Sequence, residues 1–144
     1  MKVITIIDEN AEEKVEIHSR ERDALVEQIE ELVNNRGKSL TGYKDDEIVP
    51  LSEENIYRIY VDSNKVFAST DNGVYQLKSR LYQLEEMLGT RFIKINQSAL
   101  INKKHIKKFS SSWGGSLTVE LKNGETDFIS RRQTKAVMER MGIK

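Results

Sequence analysis

The sequence predicts a mainly β protein with a few helices, an α+β chain, and three observations carry that prediction. From Val61 onward turn signals recur at short, regular intervals, as in an all-β domain with few helices. Two of those signals, Asp71-Asn72-Gly73 and Asn123-Gly124, stand between short apolar runs and read as hairpin turns, because Asn and Gly tolerate positive φ. Helical periodicity is confined to three stretches: residues 25–33, the segment after Ser79 and the segment after Ser130.

Residues 3–7, VITII, are a β-branched run, and residues 14–17 offer a second, weaker strand. A helix follows from about 20 to 35, giving a small β-β-α segment at the amino terminus. Leu25, Val26, Ile29, Leu32 and Val33 fall on one stripe, with Glu27, Gln28, Glu30 and Glu31 opposite. Ser19 is the candidate N-cap, Glu21 and Asp23 suit a first turn whose dipole favours carboxylates, and Gly37 stands beyond the end as a stop. Residues 38–51 read as two short strands around a turn at 44–46, ending near Pro50. Residues 52–55 can wind one helical loop before a buried strand at 56–61. A soft boundary near 37–40 divides an extension, 1–39, from a β domain, 40–144.

Within the β domain, residues 65–70 and 74–77 pair across the turn at 71–73. A short helix starts at Ser79, with Leu81, Leu84 and Leu88 on one face and Gly89 as its stop. Phe92 and Lys94 face one way on the next strand, Ile93 and Ile95 the other. Ala99, Leu100 and Ile101 are expected in the core. Residues 106–109 run into the loop SSSWGGS at 110–116, and 117–121 pairs with 125–129 through Asn123 and Gly124. Ser130 caps a last helix whose Val137, Met138 and Met141 face inward.

Length and composition narrow the function classes. With 144 residues, 38% of them apolar, the chain can bury one core of ordinary size, or one domain plus a small appendage. The absence of cysteine excludes disulfides, thiolate nucleophiles and cysteine-ligated zinc. The first apolar run stops at Asp8, too short for a signal or a span, so a soluble, cytoplasmic protein is expected. Formal net charge is zero, but its distribution is lopsided. Residues 1–62 hold 8 Lys or Arg against 16 Asp or Glu, a net of −8, and residues 63–144 hold 15 against 7, a net of +8. That asymmetry is expected where only one part of a protein touches phosphate.

Catalytic chemistry finds little purchase. His18 and His105 lie in different halves, and neither has a histidine or carboxylate at metal-ligand spacing. GxGxxG, Walker and GxSxG motifs are missing, so no enzyme, metal, cofactor or small-molecule substrate is expected. The basic half suits an anion better. Lys94, Lys103, Lys104, Lys107 and Lys108 surround the apolar stretch 92–106, and Arg131, Arg132 and Lys135 open the last helix, where free amides already favour anions. Gln133, three residues after Ser130, completes a capping box. Phosphate contacts supply affinity, whereas base reading needs paired donors and acceptors of the kind Asn64, Gln97 and Arg132 carry.

Phe92, Lys94, Ser98, Leu100, Ile101, Asn102 and Ile106, then a hairpin with Asn-Gly, then Ile-Ser-Arg-Arg at 129–132, resemble the LytTR family of bacterial DNA-binding domains. The resemblance extends over about residues 40–144. It implies a ten-stranded β fold of three small sheets that inserts loops into successive major grooves, without a recognition helix. By position it implies base reading by Asn64, Gln97 and Arg132. Lys65, Lys94, Ser98, Gln133 and Lys135 become phosphate contacts; Arg131, in the first turn of the last helix, is a further phosphate candidate on its charge, and Asn96, Lys103 and Lys104 are other candidate DNA-facing residues. Asn96 stands where histidine is usual and Gln97 where arginine is frequent, so the preferred site need not follow the family's common ones. About forty upstream residues are too few for a receiver domain. The chain is therefore similar to the short, receiver-free regulators of the family, some of which answer to membrane proteins.

Double-stranded DNA is thus the expected partner of a sequence-specific transcription regulator, bound by a homodimer on repeated sites. The extension is expected either to dimerise, to meet a partner such as a membrane-protein regulator, or to cover one side of the β domain. The competing expectation is a protein-interaction module with an acidic helix and a basic β domain. RNA binding is a weaker alternative, since an RNP-like pattern of strand aromatics is missing.

Overall fold

In a computed structural model of the chain, residues 1–34, 40–111 and 116–143 are described, and they divide between two units, Met1–Arg36 and Gly37–Lys144. The expected helix stop at Gly37 and most of the loop 110–116, including Trp113, lie outside the described residues.

The first unit holds one helix, α1, Ala24–Asn34. Its cap is Asp23 and not Ser19: the Val26 N–H donates to Asp23 Oδ1 at 3.0 Å, while Ser19 Oγ donates to the Glu21 carbonyl. A carboxylate one residue before the first turn both accepts the free amide and opposes the helix dipole, and a serine four residues earlier cannot. The two expected strands at 3–7 and 14–17 are not formed. Val3 and Ile7 are 83% and 91% exposed. Strand propensity is satisfied only by pairing and burial, and a lone two-stranded hairpin is marginal without a third strand or a helix to cover it.

The second unit contains ten strands and two α-helices among its described residues, besides three single turns of 3-10 helix. In chain order these are β1 Leu40–Lys44, β2 Glu47–Leu51, β3 Ile56–Asp62, β4 Lys65–Thr70, β5 Gly73–Leu77, α2 Leu81–Leu88, β6 Phe92–Asn96, β7 Ala99–Asn102, β8 Ile106–Ser111, β9 Leu117–Leu121, β10 Thr126–Ile129 and α3 Arg131–Arg140. The strands form an antiparallel seven-stranded sheet in the order β2-β1-β5-β4-β3-β7-β6 and a three-stranded sheet β10-β9-β8. Ten strands match the expectation, but they group into two sheets where three small ones were expected. The difference lies at one joint, since β1 meets β5 only through the pair Tyr43↔Gln76. Pro50 is accommodated because β2 is an edge strand, where a missing N–H costs no ladder bond.

Two cores share one wall. Phe92 and Leu100 belong to a cluster with Ile56, Ile59, Leu84 and Leu88, by which α2 packs on the large sheet. Ile93, Ile95 and Ile101 belong to a second cluster with Val119, Leu121, Ile129 and Val137, contributed by the small sheet and α3. The β6–β7 hairpin is therefore buried on both faces, which explains why 92–95 and 99–101 are apolar apart from Lys94, where half-exposed strands would alternate. Arg58 joins the sheets on their polar side: its guanidinium donates to Glu125 Oε2 at 3.0 Å and to Asp127 Oδ2 at 2.8 Å, and lies 4.1 Å over the Tyr60 ring.

Candidate nucleic-acid interface

The strand register brings four connections to one end of the large sheet. Asp62 pairs with Lys65, leaving Ser63 and Asn64 as a two-residue turn with φ of 51° and 63°. Two consecutive positive φ values define the mirror-image turn that matches strand twist. Neighbouring β3 and β7 run antiparallel with Tyr60 opposite Ala99, and the Val61 N–H donates to the Ser98 carbonyl at 2.8 Å. The Gln97-Ser98 turn of the β6–β7 hairpin therefore stands beside the Ser63-Asn64 turn. On the other flank Val66 pairs with Leu77, so β5 leaves the sheet at Lys78 on this same end. The fourth connection, β10 to α3, is tied in by the Ser130 N–H, which donates to the Ile95 carbonyl at 2.9 Å.

The first three of these connections form a cleft of about 860 Å³ whose wall includes Asn64, Lys65, Lys78, Arg80, Lys94 and Gln97. Glu85 is the one carboxylate in that wall. Among the described residues, no carboxylate pairs with any of the four cations, so their field is directed at the cleft. Asn64, Lys65 and Gln97 are exposed and Lys94 is half-buried. A register shift between Lys94 and Asn96 marks a bulge in β6 directly before the turn, a device that re-aims the side chains after it.

Arg131, Arg132 and Lys135 are exposed on the first turns of α3, next to the Gln97 turn through the Ser130–Ile95 bond, and Ser98 is exposed in that turn. The capping box expected at Ser130 is half made. Ser130 Oγ accepts from the Gln133 N–H at 3.3 Å, but the Ser130 N–H is already given to Ile95, so the Gln133 amide is not needed for the return bond.

Three expected DNA-facing residues lie elsewhere. Asn96 is 3% exposed and faces inward: its Nδ2 donates to the Phe128 carbonyl at 2.9 Å and to Asp127 Oδ1 at 3.3 Å, and its Oδ1 accepts from the Ser98 N–H at 2.8 Å. It pins the Gln97 turn to β10 and has no donor left for a base. Lys103 and Lys104 follow the far end of β7, about 13 Å from Ser98 of the turn at ~3.3 Å per residue, and Lys104 Nζ lies 3.7 Å from Glu54. Sequence adjacency grouped them with Gln97, and a four-residue strand separates them from it. Conversely, Lys78 and Arg80 were not singled out in the sequence; the antiparallel return of β5 onto Lys65 is what brings them to the site. His105 is locally bonded, its Nε2 meeting the Glu54 carbonyl and its ring 4.3 Å from that of Tyr57.

Comparison with known proteins gives a consistent picture. The family model described as LytTr DNA-binding domain matches residues 46–142. An uncharacterized HTH-type transcriptional regulator of Staphylococcus aureus strain NCTC 8325 is 34% identical over 146 residues, 99% of each chain. A relative of the same description from strain MRSA252 matches equally. The LytTr DNA-binding domain of a Bacillus cereus response regulator superposes with a TM-score of 0.70 at 21% identity, over 74% of this chain and all of that domain. A helix-turn-helix requires two helices in succession. Among the described residues of this chain, β-strands separate α1 from α2 and α2 from α3.

Proposed function

The chain belongs to the LytTR family of DNA-binding domains, and from that premise we propose that it regulates transcription by reading double-stranded DNA with the turns at one end of its large sheet. The observation that supports this most is the convergence of the Asn64 and Gln97 turns, far apart in sequence, on one cationic cleft, with the start of the Arg132 helix bonded to the strand that leads into the Gln97 turn. A two-residue hairpin is narrow enough for a major groove, which admits a two-stranded ribbon. Asn64 and Gln97 present amides that can bond adenine in pairs, and Arg132 can fork onto guanine. Lys65, Lys94, Ser98, Arg131, Gln133 and Lys135 hold the flanking phosphates, which fixes orientation without reading sequence. The charge separation along the chain leaves the reading end basic while the whole protein stays near neutral.

In this reading the protein works in the cytoplasm as a homodimer on repeated sites, and the unit Met1–Arg36 mediates self-association or contact with a membrane-protein regulator. No helix among the described residues is long and apolar enough to cross a membrane. The deciding experiment is fluorescence anisotropy against a randomised duplex pool at two salt concentrations, followed by sequencing of the bound fraction. A motif repeated about one helical turn apart, with affinity falling steeply as salt rises, is the expected result. Weak binding without a motif would overturn it and move the function to a protein partner.

A further inference from the structure

We propose that Lys78 and Arg80, in the β5–α2 connection, form a phosphate clamp on the side of the cleft opposite the Gln97 turn, and that Tyr43 positions its lysine. This inference rests on the DNA-binding reading above and adds a backbone contact to it. Both side chains are exposed, both line the cleft with Asn64, Lys65, Lys94 and Gln97, and neither is paired with a carboxylate among the described residues. Lys78 Nζ stands 4.2 Å over the Tyr43 ring. A cation held over an aromatic face keeps its hydrogen-bond donors free while losing rotamer freedom in advance, so less order is lost when it binds an anion. Tyr43 is also the residue through which β1 joins the sheet, opposite Gln76, two positions before Lys78. The joint between the first hairpin and the sheet therefore lies under the clamp.

Geometry gives the clamp its role. Three strand spacings separate β5 from β7, about 15 Å at ~4.8 Å each. That span exceeds the ~12 Å width of a major groove. With the Asn64 and Gln97 turns in the groove, Lys78 and Arg80 reach the phosphates on one bank while Arg131 and Lys135 reach those on the other. The Ser130–Ile95 bond fixes the second set and the Tyr43 ring the first. Cations on both banks resist rolling of the domain about the duplex axis, which contacts on one bank would permit.

The test uses the full chain and the duplex selected from the random pool. The Lys78→Ala, Arg80→Ala double variant is expected to weaken binding about ten-fold on selected and scrambled duplexes alike, to lower the salt slope by about 2, and to leave the selected motif unchanged. Tyr43→Leu, with Lys78 present, is expected to lose a smaller part of the affinity and none of the motif. Lys103→Ala, a cation away from the cleft, is the control for net charge and should change neither affinity nor slope. An unchanged slope in the double variant, or an equal loss in Lys103→Ala, overturns the clamp. If wild-type protein itself selects no motif and shows no salt dependence, the DNA-binding reading fails first, so the two failures are distinguishable.

Discussion

The Ser130 N–H donates to the Ile95 carbonyl at 2.9 Å, tying the start of α3 to the strand that carries the Gln97 turn. The bond couples the segment that carries Arg132 to the one that carries Gln97, so in the proposed mode of binding the two side chains meet the duplex at a set spacing. Gln97→Ala and Arg132→Ala should each relax preference at one position of the site by about 1–3 kcal/mol. Binding to duplexes substituted one base pair at a time checks this. Equal loss on every sequence from Arg132→Ala would assign Arg132 to a phosphate.

Asn64 permits a cleaner separation of fold from recognition. Its φ of 63° and that of Ser63, 51°, suit glycine best. Asn64→Gly should keep the turn and the melting temperature while removing base discrimination at its position. Ser63→Gly should stabilise the fold by about 0.5–1 kcal/mol with no change in the selected motif. Thermal melts and selection on the same two proteins decide both; a fall in stability for Asn64→Gly would show that its amide supports the turn.

Asn96→Leu should destabilise by about 2–4 kcal/mol, because the Phe128 carbonyl and the Ser98 N–H lose their partner in a place largely closed to water. Binding should weaken in the surviving folded fraction, since the Gln97 turn loses its tie to β10. Urea midpoints combined with anisotropy test this, and retained stability with lost binding would return Asn96 to the DNA-facing group.

Arg58 is half of a polar joint between the sheets. Arg58→Ala leaves Glu125 and Asp127 facing each other without a cation, and a loss of about 2–3 kcal/mol is expected for such a partly buried pair. Arg58→Lys should recover less than half, because one ammonium cannot span two carboxylates in the guanidinium's fork. Full recovery by lysine in a denaturant titration would argue that charge alone matters there.

Local chemistry made much of the β domain legible. Asn123-Gly124 forms its hairpin, with Gly124 at a φ of 91°, and Gly89 ends α2 at a φ of 60°. Ser130 caps α3, and Ala99, Leu100 and Ile101 are all buried. Each was legible because a side chain or a backbone requirement acts within a few residues. The errors share the opposite cause. Strands at 3–7 and 14–17 need partners that composition cannot supply. Asn96 points inward because β10, thirty residues on, offers it a carbonyl. Lys78 and Arg80 reach the site, and Lys103 and Lys104 miss it, through strand direction alone. Runs of charge along a sequence do not reveal which end of a strand they occupy.

The shared wall of the two cores, β6–β7, ends in a turn whose exposed residues, Gln97 and Ser98, bury no apolar surface. In the proposed mode of binding, stability is stored in the strands and address in the tips. A lineage could rewrite which promoters it visits by changing a tip residue or two, with the melting point hardly moved. A recognition helix has less of that freedom, because the face opposite its base contacts is packed into its own core. Divergent operators served by one nearly constant scaffold are the expected evolutionary record of such an arrangement.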